Sequence, residues 1–229
     1  MKHLDDKLLS FLEARILGVL VEKERTTPDV YPLTLSSLTT GCNQKTAREP
    51  VVSVEEAEVQ SALEALRSRV LVIESYGASG RVLRYAQNVA RVYGLPAGSV
   101  ALLATLVLRG PQTASELRAN SARLHSFDDN SAVEAYLDEM AERSTGALVV
   151  RLPKQPGSRE PRWTHLLCGD AEGWARNEAR PPASPGEPAD LIDRVVRIEK
   201  EVAELRAALQ DLTKLARAAA RSTDDPQPR

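Results

Sequence analysis

Aromatic side chains are scarce: five Tyr, two Trp and two Phe, 4% of 229 residues. Any core must therefore be built from Leu, Val, Ile and Ala. Cysteine is scarcer still. Cys42 and Cys168 lie far apart and form no C-x-x-C, which argues against a disulfide framework or a zinc cage. Both read as small buried or half-buried apolar residues. No run of about 18 apolar residues exists, so no membrane-spanning helix is expected. The start, Met1-Lys2-His3-Leu4-Asp5-Asp6-Lys7, has no apolar signal core, and a cytoplasmic location is the expectation. Nor is there an excess of positive charge: 30 Lys+Arg stand against 32 Asp+Glu, a net charge of -2. That excludes a globally cationic nucleic-acid binder and leaves room for a local basic patch.

Chemistry-bearing motifs are absent too. His3, His125 and His165 form no H-x-x-x-H, and there is no G-x-S-x-G, P-loop or dinucleotide fingerprint. The expectation is a non-enzymatic chain with no cofactor and no metal. Cys42 acting with a distant histidine as nucleophile and base is the weak alternative to a packing role. His125 reads as a loop anchor held by hydrogen bonds.

What is present is pattern. With 42% hydrophobic and 27% charged residues the composition is globular. Leu8, Leu12, Ile16, Val19 and Leu20 mark one face of a helix that Pro28 and Pro32 close. Thr34 to Leu38 reads as a short helix with hydroxyl caps, ending near Gly41 and Asn43. After the loop Asn43–Pro50, Ser53 stands three before Glu56, the spacing of a capping box. Val59, Leu63, Leu66 and Val70 continue at helical spacing. Val70–Tyr76 and Arg81–Tyr85, joined by Gly77-Ala78-Ser79-Gly80, read as a β-hairpin. Helix, short helix, helix, hairpin is the order of a winged helix.

The order then repeats. Val100, Leu103, Ala104, Val107 and Leu108 form a helix stripe stopped by Gly110-Pro111. Thr113, with Glu116 as capping-box partner, starts a short helix from Ala114 to Ala119. Asp128–Ser131 starts a third helix carrying Val133, Leu137 and Met140. Ala147–Leu152 and Trp163–Leu167 are strands around a polar tip. The predicted class is mostly α with small β-hairpins (α+β): winged-helix domains over residues 1–92 and 99–169, with the joint near Val92–Gly98.

From Gly169 the composition shifts. Residues 170–190 include Arg180-Pro181-Pro182-Ala183-Ser184-Pro185-Gly186-Glu187-Pro188, a linker rather than a helix or strand. Residues 191–221 carry a heptad with Val195, Val202 and Leu209 at a, and Leu191, Ile198, Leu205 and Leu212 at d. Arg194 with Glu199, and Glu201 with Arg206, are opposite in sign between g and the next e. These residues predict a coiled-coil helix that pairs two copies. A helix folded back on its own domains is the alternative.

Several stretches are distinctive: Glu13–Gly18, Thr26-Thr27-Pro28-Asp29 with Tyr31-Pro32-Leu33, Cys42–Pro50, Val59-Gln60, Leu108–Thr113, Glu116–Arg118 and Arg123–Phe127. Through them the chain resembles the YceH-like family of uncharacterised bacterial proteins over roughly Leu4 to Leu167. The resemblance implies two tandem winged helices and supplies no mechanism.

A winged helix that reads DNA places its third helix in the major groove and its wing on the backbone. Here the first third helix carries Glu55, Glu56, Glu58 and Glu64, and the second carries Glu134, Asp138, Glu139 and Glu142. Such faces repel phosphates. Basic residues sit in loops instead: Lys45 and Arg48, Arg81 and Arg84, and Lys154, Arg159 and Arg162. These are the candidate contacts to double-stranded DNA through its phosphates; an ordinary solvated face of mixed charge is the plain alternative. The expected function is DNA binding of the transcription-regulator type by a homodimer. An interaction scaffold for a protein partner is the alternative. No membrane partner is expected.

Overall fold

The computed structural model describes residues 8–76, 80, 82–154, 157–158 and 160–169. The linker at 170–190 and the heptads at 191–221 lie outside the described residues. The chain has an α+β fold with small antiparallel strand pairs.

Ser10 opens α1 (Phe11–Thr26) through a capping box: its hydroxyl accepts from Glu13 N–H, and the Glu13 carboxylate accepts from Ser10 N–H. Leu8 precedes the helix instead of belonging to its apolar stripe. Thr34 caps α2 (Leu35–Cys42) as expected from its hydroxyl. α3 (Glu56–Ser68) departs from the expected cap at Ser53. The Asn43 side chain donates to Val54 O and accepts from Val54 N–H, both at 2.8 Å, which holds residue 54 extended. The cap shifts two residues, to Glu55, the helix begins at Glu56, and Glu58 accepts from the Glu55 N–H. β1 (Val72–Tyr76) pairs antiparallel with β2 (Leu83–Gln87).

A short helix that the pattern did not announce, α4 (Val89–Tyr93), leads to the second set of elements. These are α5 (Ala97–Arg109), α6 (Ala114–Ser121), α7 (Asn130–Ala141), β3 (Val149–Arg151) and β4 (Trp163–His165). Thr113 and Glu116 form the expected capping box, and Asp129 caps α7. β3 and β4 are antiparallel.

The two halves repeat down to single residues. Leu33, just before the Thr34 cap, bridges Tyr85 on β2; Gln112, just before the Thr113 cap, bridges Trp163 on β4. Both bridges use paired backbone hydrogen bonds of 2.8 and 3.1 Å. Each half thus ties the start of its second helix to the returning strand of its hairpin.

One continuous core serves both halves. Its seam is α1 against α5 around Gly18, where an added Cβ would sit 3.0 Å from Leu108 and 3.1 Å from Val107. α5 is consequently buried from Gly98 to Leu108, on every face rather than along one stripe. A helix packed on two sides loses its polar face, which is why its sequence is nearly continuous Ala, Leu and Val.

Candidate functional site

The seven candidate cations have different fates. Lys45 and Lys154 are exposed. Arg81 and Arg159 lie outside the described residues, as do Leu191, Val195, Ile198, Val202, Leu205, Leu209 and Leu212 of the expected pairing helix. The remaining three arginines are engaged within the fold. Arg48, expected at the surface, is 5% exposed. It donates to both carboxylate oxygens of Glu22, at 3.2 and 2.6 Å, and to Gln44, Gly41 O and Ala47 O. Arg84 donates to the carbonyls of Val30 and Pro32, pinning the turn before α2 to the first hairpin. Arg162 donates to Pro111 O and to Glu116, pinning the second hairpin to the start of α6. Arg48, buried with its donors engaged, is a structural clamp with no reach left for a phosphate. Arg84 and Arg162 are half-buried, the Arg162 side chain 37% exposed.

The acidic faces stand as expected. On α3 and its first turn Glu55, Glu56, Glu58 and Glu64 are exposed, and on α7 and its end Asp138, Glu139 and Glu142 are exposed. Glu134 is half-buried and pairs with Arg151 at 3.7 Å.

Two buried charged residues escaped the sequence reading because they sit in an apolar stretch of α1. Glu13 is 6% exposed and Arg15 is fully buried. Arg15 donates to Pro50 O at 2.8 Å and its guanidinium lies 5.0 Å from the Phe11 ring centre. Burial, with Arg48 nearby, lowers its pKa from the ordinary value. Cys42 ends α2 and is buried, and burial pushes its thiol up to about 11, the opposite of an activated nucleophile. Cys168 is exposed rather than half-buried. The His125 backbone N–H donates to Ser121 O at 3.0 Å and its ring packs edge-on against Phe127, 4.7 Å between centres, so a hydrogen bond and an aromatic contact together anchor the loop. Among the described residues no group of three potential metal ligands comes together. No described helix is long and apolar enough to cross a membrane.

A groove of about 740 Å³ runs where the first hairpin's base and α4 meet the second hairpin. Its apolar lining includes Val92, Tyr93 and Leu148, and Arg69, Arg91 and Arg143 stand at its edge. No carboxylate lines it among the described residues. Arg69 and Arg143 reach back to Leu8 O and Tyr93 O. Val92 is 42% exposed. The groove escaped the sequence reading because α4, which forms one wall, carries no periodic signal in five residues.

Residues 9–158 match the family described as "Protein of unknown function, DUF480". A UPF0502 protein of Burkholderia vietnamiensis is 55% identical over 207 residues, covering 88% of this chain and 86% of that one. A UPF0502 protein of Cupriavidus metallidurans is 53% identical over 211 residues, covering 90% and 85%. One from Burkholderia multivorans is 54% identical over 206 residues, covering 88% and 86%. With its apolar periodicities realised as repeated helix–hairpin modules and this likeness running through both of them, the chain belongs to the DUF480, or UPF0502, family of bacterial proteins.

Proposed function

We propose that the chain is a non-enzymatic tandem winged-helix protein, paired through its C-terminal heptads, that serves as an interaction scaffold for another protein chain. The carrying observation is the charge on the faces that would enter a DNA groove. Seven exposed carboxylates, from Glu55 to Glu142, lie on and beside α3 and α7. Against a duplex bearing one charge per ~1.7 Å of axis, these repel. Arg48, Arg84 and Arg162, which would offset them, are engaged within the fold. The arginine-edged apolar groove beside α4 fits an apolar anchor flanked by acidic residues, since its charged lining is all of one sign.

Duplex DNA is the second reading, favoured by exposed Lys45 and Lys154 in two separate loops. One pair of measurements separates the two. Partner capture from cell extract that survives nuclease and is lost on Val92→Asp supports the scaffold. Affinity for random duplex that falls steeply with salt and disappears on Lys45→Glu with Lys154→Glu supports DNA binding. Pairing has its own test: Val202→Asp puts a charge in the seam, and light scattering should show a monomer at micromolar concentration. A mutant that stays dimeric defeats the heptad assignment.

A further inference from the structure

The ends of α1 and α5 and the loops before α3 and α7 enclose a second cleft, of about 240 Å³. Lys23, Arg109 and Arg123 line it, with Gln44, Thr46 and Asn120 as neutral polar neighbours. The sole carboxylate in its lining is that of Glu22, among the described residues. Glu22 is already neutralised by Arg48, which holds both its oxygens from behind. Lys23 approaches the same carboxylate only loosely, at 3.7 Å. The side chains of Arg109 and Arg123 make no hydrogen bond or ion pair with any described residue. Gln44 uses its oxygen to accept from Arg48, so its amide N–H groups remain for a ligand.

The charges can be summed. Three cations and the balanced Arg48–Glu22 pair leave three positive charges. α1, α5 and α6 all end here, with Thr26, Arg109 and Asn120 in the lining, and each helix end contributes about half a negative charge. Roughly one and a half positive charges remain uncompensated, in a chain whose net charge is -2. Two cations would more than balance the helix ends. The excess is what asks for an anion.

The same cleft gathers four of the stretches on which the family resemblance rests. Thr27, Thr46, Arg109 and Arg123 come from Thr26–Leu33, Cys42–Pro50, Leu108–Thr113 and Arg123–Phe127 in turn. Residues separated by up to about a hundred positions meet here, whereas the acidic faces of α3 and α7 contribute nothing to the lining.

We propose that this cleft binds the phosphate end of a small phosphorylated molecule, with Arg109 and Arg123 as the charged clamp and Gln44 and Thr46 as hydrogen-bond donors. Planar guanidinium groups suit phosphate oxygens in pairs. The volume admits a phosphate or pyrophosphate with a small substituent and is below that of a site for a drug-sized ligand. The cleft is formed by both modules, so an occupant would bridge them.

Inorganic pyrophosphate is the probe, titrated into the full-length protein by calorimetry at low ionic strength. Saturable binding with Kd of about 1 mM or tighter is expected. Arg109→Gln and Arg123→Gln should each weaken it about tenfold, and Lys154→Gln should leave it unchanged. Circular dichroism and the unfolding midpoint of each variant guard against loss of fold, and Thr46→Val supplies a milder second variant. Absence of saturation at ~10 mM overturns the proposal. So does binding that falls equally on Lys154→Gln, which would mark a diffuse charge effect. Duplex DNA displaced by pyrophosphate, with Arg109→Gln abolishing both, would also overturn it by assigning the cleft to a nucleic-acid backbone. None of these results depends on whether a protein partner is captured through Val92.

Discussion

Arg48 and Glu22 form a two-point ion pair in which the guanidinium side chain is wholly buried and the carboxylate side chain is 19% exposed. The pair joins the loop before α3 to the last turns of α1. Removing one member of a buried pair costs more than the pair contributes, because the survivor keeps its charge without its partner. Arg48→Leu also leaves the carbonyls of Gly41 and Ala47 without that donor. A loss of about 2–4 kcal/mol is expected in urea unfolding. The double variant Arg48→Leu with Glu22→Leu should recover part of that loss. A single variant within about 0.5 kcal/mol of wild type would show that the pair is incidental.

The history of Arg48 explains how much could be read from the chain. Caps are local chemistry, and Thr34, Thr113 with Glu116, and Asp129 were legible because three or four residues decide them. The cap of α3 was misread at Ser53 because Asn43, eleven residues before Val54, fixes the backbone there. The fates of Arg48, Arg84 and Arg162 depend on partners 26, 52 and 46 positions away. An arginine in a polar loop looks solvated until the acceptor that captures it is known. Arg109 and Arg123 stand in separate distinctive stretches, and only the packing of α6 against α5 brings those segments to one cleft.

Val70 has φ of 60° and is 59% exposed. It closes α3, where its N–H donates to Arg67 O and the Leu71 N–H donates to Leu66 O. A β-branched residue in the left-handed region is strained by about 1–2 kcal/mol, and this helix-ending position suits Gly. Val70→Gly should therefore raise stability by about 1 kcal/mol, after the greater entropy of the unfolded chain is deducted. A thermal midpoint that falls on this substitution would mean the Val70 methyl groups pack more than their exposure suggests.

Gly41 is a second test of backbone proximity, of opposite sign. A Cβ there would lie 2.6 Å from Val19 Cγ1, and Val19 is fully buried in α1 with a stiff, branched side chain. Alanine gains about 1 kcal/mol of helix propensity but must force α2 away from α1. The expected balance is a loss of about 1–2 kcal/mol, read by denaturant midpoint with an unchanged slope. Gly41→Ala combined with Val19→Ala should lose less than the two single effects added. Strict additivity would mean the contact is not the cause.

His165 gives the fold a pH dependence with a defined sign. It lies in β4, 4% exposed, and burial pulls its imidazole from 6.5 down to about 4. In the unfolded chain the same ring titrates near 6.5. Between those values the unfolded chain holds a proton that the folded chain refuses, so stability falls as pH drops from 6.5 to about 4. Below that window both states are protonated and this group's contribution levels off; above it both are neutral. At about 1.4 kcal/mol per pH unit, the loss over the window is roughly 3 kcal/mol. Urea unfolding at about pH 7, 5.5 and 4.5 measures it. Acidic groups titrate in wild type and variant alike, so the readout is the difference between wild type and His165→Gln. The variant starts less stable at neutral pH and loses less on acidification. Parallel curves for the two proteins would remove His165 as the source of the acid sensitivity.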